Sequence, residues 1–527
     1  MALRGDLGSW NPYTVEDDAT AHVLDLLYPR LMHESWRDGG LSFVPWVAES
    51  WQATPDGRRL TIALRDGARW SNGAPITCDD VAFTHAARQD PELSWSGADD
   101  ASRATLVPCR EPHTVEFRFQ RSSLNALFAV NDDALVSRDY RDVALSTWHA
   151  TDWSARMIGA GPYRLLSVTP GQEAVLVRDE GWWNAPQPNI DRVVFRVYPD
   201  ESLAVDALAN GEIDLLERVP PVRAQALQQN PKLRLVELPA LTETQIVWNL
   251  LRPEAYVADR QRRRCDADIP CREDESDITR LQQTAPHPIL SDATVRRALT
   301  LAIDRQDLID GLLAGYGHVG DTPVISPLWA HDGVAAPAYD PEAARRELDA
   351  AGWVDRNHDG VREKNGRRLK LALLVNAESA TKRDIAERCA VMLALVGVEL
   401  QIEAVPRGVY AQRARDKRFD ALLIGMRIGT ALSVGLHTRD AVARGLNMGS
   451  WSTAESDALL DQAAQAPSRE LAKPAWVLWQ QLVRRDRPVT VLYEERTLIG
   501  ISARVQDATP SPLDPYDNLP QWWIAPQ

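Results

Sequence analysis

The chain has no run of about 18 consecutive apolar residues, so it offers no segment able to cross a bilayer as a helix. It also lacks a His-Glu-x-x-His pair, a Gly-x-Ser-x-Gly elbow and a Gly-Lys-Ser/Thr phosphate loop, which removes the best-marked routes to peptidase, serine-hydrolase and nucleotide chemistry. Positive charge is in deficit: 59 Lys and Arg stand against 74 Asp and Glu, a formal charge of -15. A field of that sign repels phosphate backbones and anionic lipid, so nucleic acid is not expected as a partner. The ten histidines are scattered without metal-ligand spacing. The start, Met1-Ala2-Leu3-Arg4-Gly5-Asp6, lacks the basic segment, apolar run and cleavage site of a signal peptide, which taken alone points to the cytoplasm.

Cysteine is scarce as well. The five are Cys78, Cys109, Cys265, Cys271 and Cys389, an odd number that argues against a disulfide scaffold in a chain of 527 residues. Only Cys265 and Cys271 are close in sequence, within a run of Arg, Asp and Glu. Bridged, they would close a short polar loop worth about 2 kcal/mol; otherwise they are two free thiols. Cys389 lies on an amphipathic pattern and reads as a small buried apolar group.

What is present is ample core material, with 44% hydrophobic and 25% charged residues, and a length that calls for two or three domains. Leu60, Ile62 and Leu64 alternate with polar neighbours after the Pro55-Asp56-Gly57 turn, and Val115, Phe117 and Phe119 form a second alternating strand. Thr77 with Asp80 three residues on is a capping-box pattern that starts a helix. Tyr163–Leu166 and Ala174–Val177 read as strands joined by Pro170-Gly171, Val193–Val197 as a central strand, and Leu203–Ala209 as a helix stopped at Gly211. Asp304 and Asp340-Pro341 mark two further helix starts. Strands at Leu369–Val375 and Val398–Ile402 enclose a helix through Ile385, Cys389, Met392 and Leu393, and Val489–Tyr493 is a late strand. This alternation is that of α/β domains. The expected division is a discontinuous first lobe from 1–45, 170–248 and 487–527, an inserted small α/β domain at 46–169, and a second α/β lobe at 249–486. Residues 252–287, rich in charge and without periodicity, read as an exposed insertion in that lobe.

Several longer strings occur in a fixed order: Glu49-Ser50-Trp51 through Val81-Ala82-Phe83, Gly159-Ala160-Gly161-Pro162-Tyr163, Asn210-Gly211-Glu212-Ile213-Asp214 and Val295-Arg296-Arg297-Ala298-Leu299 with Ala302-Ile303-Asp304-Arg305. Tyr339-Asp340-Pro341-Glu342 with Ala351-Gly352-Trp353 and Ser456-Asp457-Ala458-Leu459-Leu460 follow. The series, covering about Trp10 to Val505, resembles the peptide/nickel-type solute-binding proteins of ABC importers, family 5. The resemblance implies a periplasmic-binding-protein-like fold of type II in its large cluster C form: two lobes joined by a hinge, with a small extra domain in the first. It further implies a monomer without cofactor or catalysis, which binds an oligopeptide or peptide-like solute in an interlobe cleft and delivers it to a membrane permease. The expected location is the periplasm or the outer face of the cell membrane, after removal of an export signal and with lipid anchoring open. An oligosaccharide or acidic solute is the alternative ligand, and a non-transport sensor or a hydrolase the alternative role.

Many relatives place an aspartate for a peptide's ammonium after a strand that ends in Gly-Trp; here the string is Gly425-Met426-Arg427-Ile428-Gly429-Thr430, so that anchor is missing or moved. Arg427 could pair with a carboxylate or phosphate of the ligand, or equally form an ordinary salt bridge. His437, Asn447 and Trp451 stand where the family has cleft-facing polar segments, and Trp248 and Asn249 end the strand that leads to the hinge. Indole faces suit sugar rings as well as peptide planes, but Trp51, Trp70, Trp182 and Trp353 of the 18 tryptophans fit structural positions of the family. Asp355, Asn357, Asp359 and Glu363 resemble the start of a calcium loop, yet Gly366 occupies the twelfth position where a glutamate closes the cage; a metal-free turn is the expected state.

Overall fold

The computed structural model describes the chain except residues 4–6, 9, 16–17, 38–39, 94, 96–100, 123–125, 132–133, 185, 187, 263–274, 429–431, 433, 442–444 and 527. It divides into two compact units, one of Met1–Leu238, Ala464–Arg469 and Thr497–Gln527, the other of Pro239–Ala463 and Glu470–Arg496. The chain passes between them inside the two long strands Leu233–Trp248 and Val489–Ser502. Among the described residues no helix is long and apolar enough to cross a membrane.

In the first unit, strands Ala48–Ala53, Arg59–Leu64, Thr114–Phe119 and Ala104–Leu106 form an antiparallel sheet in that order. The alternation of Leu60, Ile62 and Leu64 with polar residues puts all three on the buried face, opposite Phe117 and Val115. Helix Cys78–Gln89 begins where the capping pattern predicts: the Asp80 carboxylate accepts from the Thr77 N–H at 2.9 Å and also from Trp70 Nε1 and the Arg138 N–H. The larger sheet of this unit has Ala2–Leu3 at its centre, parallel to both Arg192–Val197 and Leu215–Leu216, with Glu173–Arg178 and Tyr163–Thr169 beyond. Val193 and Phe195 point into its core.

A disulfide joins Cys78 to Cys109, 31 residues apart, with the Cα atoms separated by 5.9 Å. This pair, distant along the chain, is not anticipated from the sequence. These two cysteines meet because the start of the helix packs beside the segment before Thr114, where the Cys78 N–H donates to Pro112 O at 2.7 Å. Cys265 and Cys271 lie outside the described residues. Closing a loop of this length restrains the unfolded chain by about 3–4 kcal/mol. Cys78→Ser with Cys109→Ser is therefore expected to lower stability by about 3 kcal/mol in urea unfolding, and reduction of the wild type to give the same loss.

In the second unit, strands Glu399–Val405, Lys370–Asn376 and Ala421–Arg427 are parallel neighbours, and Thr242–Trp248 pairs antiparallel with the last of them. Helix Ala380–Ala394 is the crossover between the first two, with Ile385, Ala386, Cys389 and Leu393 buried. Burial pushes the Cys389 thiol up to about 12, so it is an apolar filler and not a nucleophile. One expectation needs correction. Residues 252–287 are not a wholly exposed insertion: helices Pro253–Arg262 and Glu275–Gln283 lie within the stretch, Tyr256 and Leu281 are buried with Leu251 and Ala441, and buried His287 accepts the N–H groups of Ile289 and Leu290. A few well-spaced apolar residues among many charges suffice to dock a helix, and such sparse positions do not register as periodicity.

Candidate functional site

The strand end Trp248-Asn249 packs with Asn447 and Trp451 in one buried knot. Trp248 and Asn249 are fully buried; the indole N–H donates to Thr490 Oγ1 at 3.0 Å, and Asn249 Nδ2 donates to the carbonyls of Lys417 and Phe419 while its Oδ1 accepts from the Leu251 N–H. Asn447, also fully buried, exchanges two hydrogen bonds with the Trp451 backbone and donates to His437 O. Trp451 is buried, packs edge-on against Trp479 and donates to Asp486 Oδ2 at 3.3 Å. Lys417 Nζ, donating to the carbonyls of Asn447 and Met448, and the Leu250 N–H, donating to Gly449 O, tie the two parts together. These four residues have their polar groups engaged within the unit, so contact with a ligand would require breaking those bonds. His437 is mostly buried, its Nδ1 accepting from the Arg439 N–H and lying 3.4 Å from Asp457 Oδ1.

Met426 is half-buried opposite Glu243, and Arg427 is exposed opposite Thr242. Gly429 and Thr430 lie outside the described residues. In the calcium-like turn Asp355 Oδ2 accepts from the Gly360 N–H while its Oδ1 is buried without a hydrogen-bond partner, Asp359 accepts from the Val361 N–H and Asn357 Nδ2, and Glu363 opens a hairpin with Arg368 opposite. Arg368 also pairs with the Asp359 carboxylate, and that bond together with the Val361 N–H holds the carboxyl below its ordinary range. Among the described residues no group of three or more His, Cys, Asp or Glu is placed to hold a metal.

A second constellation was not anticipated. A pocket of about 500 Å³ in the second unit is lined by Arg305, His318, Asp321, Ser326, His331 and Glu494, among others. Glu494, only 5% exposed, accepts from the Ser326 N–H at 2.9 Å and its hydroxyl at 2.5 Å. Strand pleating puts Glu243 and Gln245 on one face, opposite Met426 and Ile424. Glu243 is fully buried with both carboxyl oxygens unpartnered, and Gln245, 6% exposed, has an unpartnered Oε1. Burial, and then the charge of Glu494, push the Glu243 carboxyl well above its ordinary range. On the other face the polar groups are matched: Lys382 Nζ donates to Thr244 Oγ1, which donates to Glu495 Oε1. The sequence signal was slight. Thr242-Glu243-Thr244-Gln245 is a polar interruption just before an apolar strand end, and nothing in it says which face is covered.

Comparison with known proteins decides the family. The model of "Bacterial extracellular solute-binding proteins, family 5 Middle" matches residues 42–432. The chain belongs to family 5 of the bacterial extracellular solute-binding proteins. It is 22% identical over 530 aligned positions to the oligopeptide-binding protein AppA of Bacillus subtilis, covering 99% of this chain and 90% of the relative. It is 26% identical over 386 positions to the nickel-binding periplasmic protein of Escherichia coli, covering 72% and 66%. The solved structure of the Bacillus subtilis AppA in complex with a nonapeptide superposes with a TM-score of 0.75 at 22% identity, covering 100% of this chain and 98% of that one. The family's fold, the large periplasmic-binding-protein form expected from the sequence strings, is thereby the fold of this chain.

Proposed function

We propose that this family member is the solute receptor of an ABC importer, which binds an oligopeptide or peptide-like solute, leaves it chemically unchanged and passes it to a membrane permease. The observation that carries the reading is the family match over 42–432, joined to full-length likeness to a relative named for oligopeptides. The Cys78–Cys109 disulfide supports an oxidising compartment, the periplasm or the outer face of the membrane. Met426 and Arg427, on the strand paired with Glu243, stay in the proposed contact set. A sugar-stacking role for Trp248 or Trp451 gains no support, since both indoles are buried with their N–H groups engaged.

The test is mass spectrometry of whatever the purified full chain releases on denaturation, followed by incubation of the emptied protein with defined synthetic peptides. The expected result is stoichiometric, intact peptide. Cleaved products accumulating with time, or retention of sugars with no peptide bound, would end this proposal.

A further inference from the structure

Strands Met32–Arg37 and Gly40–Pro45 of the first unit form a two-stranded sheet that pairs with no third strand among the described residues. A hairpin of that kind is marginal in water unless something else holds it. Several of its ties are indifferent to pH near neutrality: the Met32 N–H donates to Asn131 Oδ1 at 2.7 Å, Phe43 packs edge-on against Phe128, and Arg469 donates to Leu41 O. One tie is not. His33 Nε2 lies 2.6 Å from Asp517 Oδ1, joining residues 484 positions apart. Asp517 is firmly seated, because Tyr516, Leu519 and Trp522 beside it are buried in the core of the unit. The other charged groups around the pair come from three elements. Helix Asp18–Asp25 supplies His22, whose Nδ1 is buried without a partner, and Asp25, which pairs with Arg30 at 3.0 Å. Arg30 also lies 4.0 Å from Glu34 on the strand of His33. The C-terminal segment adds Asp514, whose carboxylate accepts from the Tyr516 N–H at 2.8 Å, while the Tyr516 hydroxyl donates to Glu217.

We propose that His33 and Asp517 form a clasp that holds the hairpin to the C-terminal segment in mild acid and opens as His33 loses its proton at alkaline pH. No solute is needed for this clasp, which is separate from the receptor reading. A protonated imidazole beside a carboxylate makes a charge-assisted hydrogen bond, whereas a neutral ring keeps only the weaker uncharged one. Burial opposes protonation of His33, but the hydrogen bond and charge of Asp517, with Asp514 and Asp25 behind them, outweigh burial and raise its pKa above the ordinary value. A folded pKa raised above the unfolded one, about 6.5, gives stability that is fully present below the unfolded value and lost as pH rises through the folded one. Asp514 acts in the same direction. Burial, opposed by His22 and reinforced by Asp25, pushes its carboxyl up to about 6, so its charge burdens the segment only above that pH. Both groups therefore make the attachment of the hairpin tighter in mild acid than in alkali.

Amide hydrogen–deuterium exchange of the full chain tests the clasp, read by mass spectrometry on peptides covering 32–45 at about pH 5.5 and about pH 8.5 and corrected for the intrinsic exchange rate. Wild-type hairpin amides are expected to open roughly fivefold more at the alkaline pH, the effect of losing one partly exposed ion pair. Strand Glu173–Arg178 of the same unit is the internal reference and should change little. His33→Gln and Asp517→Asn, both at partly exposed positions, should exchange at the faster level at both pH values. Should either variant fail to fold, the slow deuterium exchange at the C2 carbon of the His33 ring in wild type gives its titration directly, with a midpoint expected above about 6.5. Equal opening of the wild-type hairpin at the two pH values, a pH effect that survives in either folded variant, or a His33 midpoint at or below the ordinary value overturns the proposal.

Discussion

Gly161→Ala is expected to leave the first unit unable to fold stably. A Cβ at this position would lie 2.2 Å from Leu26 O, 2.6 Å from Leu26 C and 2.8 Å from Leu27 C, all backbone atoms that no side-chain rotation can move. The approach is close because three amides of the Gly159–Tyr163 string converge on that turn: Ala160 and Gly161 donate to Leu27 O at 3.1 and 3.0 Å, and Tyr163 donates to Leu26 O at 3.2 Å. Backing the string away by the ångström an alanine needs would break all three in a buried setting, beside fully buried Leu27 and Tyr28. Three such bonds at about 1–2 kcal/mol each, added to lost packing, give a destabilisation of about 4 kcal/mol or more. Gly67→Ala is the control, as a Cβ there would meet nothing within 4 Å and the backbone is not in the left-handed region; it should fall within about 0.5 kcal/mol of wild type. Urea midpoints of the two variants decide the matter, and a Gly161→Ala midpoint matching the control would mean that the string is not held against Leu26 and Leu27.

The same string shows which features a sequence exposes. Short-range rules held wherever both partners of an interaction lie within a turn or two of each other. Asp304 and Asp340 cap the helices that follow by accepting from the Asp307 and Ala343 N–H groups, and Gly211 ends its helix at φ 79° as a left-handed glycine should. Features that depend on distant partners stayed hidden. The central strand Ala2–Leu3 is two residues long and has no pattern of its own; its place is set by Arg192–Val197 and Leu215–Leu216. Trp248 and Trp451 could be read as ligand platforms because an indole buries its face equally well against a solute or a neighbouring helix, and only the positions of Thr490 and Asp486 assign them to packing. The burial of Glu243 is hidden for the complementary reason, that a glutamate in a strand is ordinarily on the solvated face.

Asp321→Asn is the other substitution expected to act strongly, with a loss of about 3–4 kcal/mol. The Asp321 side chain is 2% exposed and serves two arginines: Oδ1 accepts from Arg487 Nη1 at 2.6 Å, and Oδ2 accepts from Arg484 Nε at 2.5 Å. Arg484 reaches Asp332 with its other nitrogens, so two carboxylates neutralise two guanidiniums in a nearly dry cluster. The amide of asparagine keeps the shape and removes one charge, which leaves Arg487 buried without a counter-ion. Adding Arg487→Gln should therefore recover part of the loss, and a double-mutant cycle reads that coupling directly. Acid acts on the same cluster through Asp332. Burial opposes ionisation of its carboxyl, but the hydrogen bonds and charge of Arg484 outweigh burial and hold it below the ordinary carboxylate range. A carboxyl whose folded pKa is depressed contributes stability that is complete above its unfolded value, about 4, and disappears as pH falls through the lower folded value. Wild type should accordingly lose stability below about pH 4.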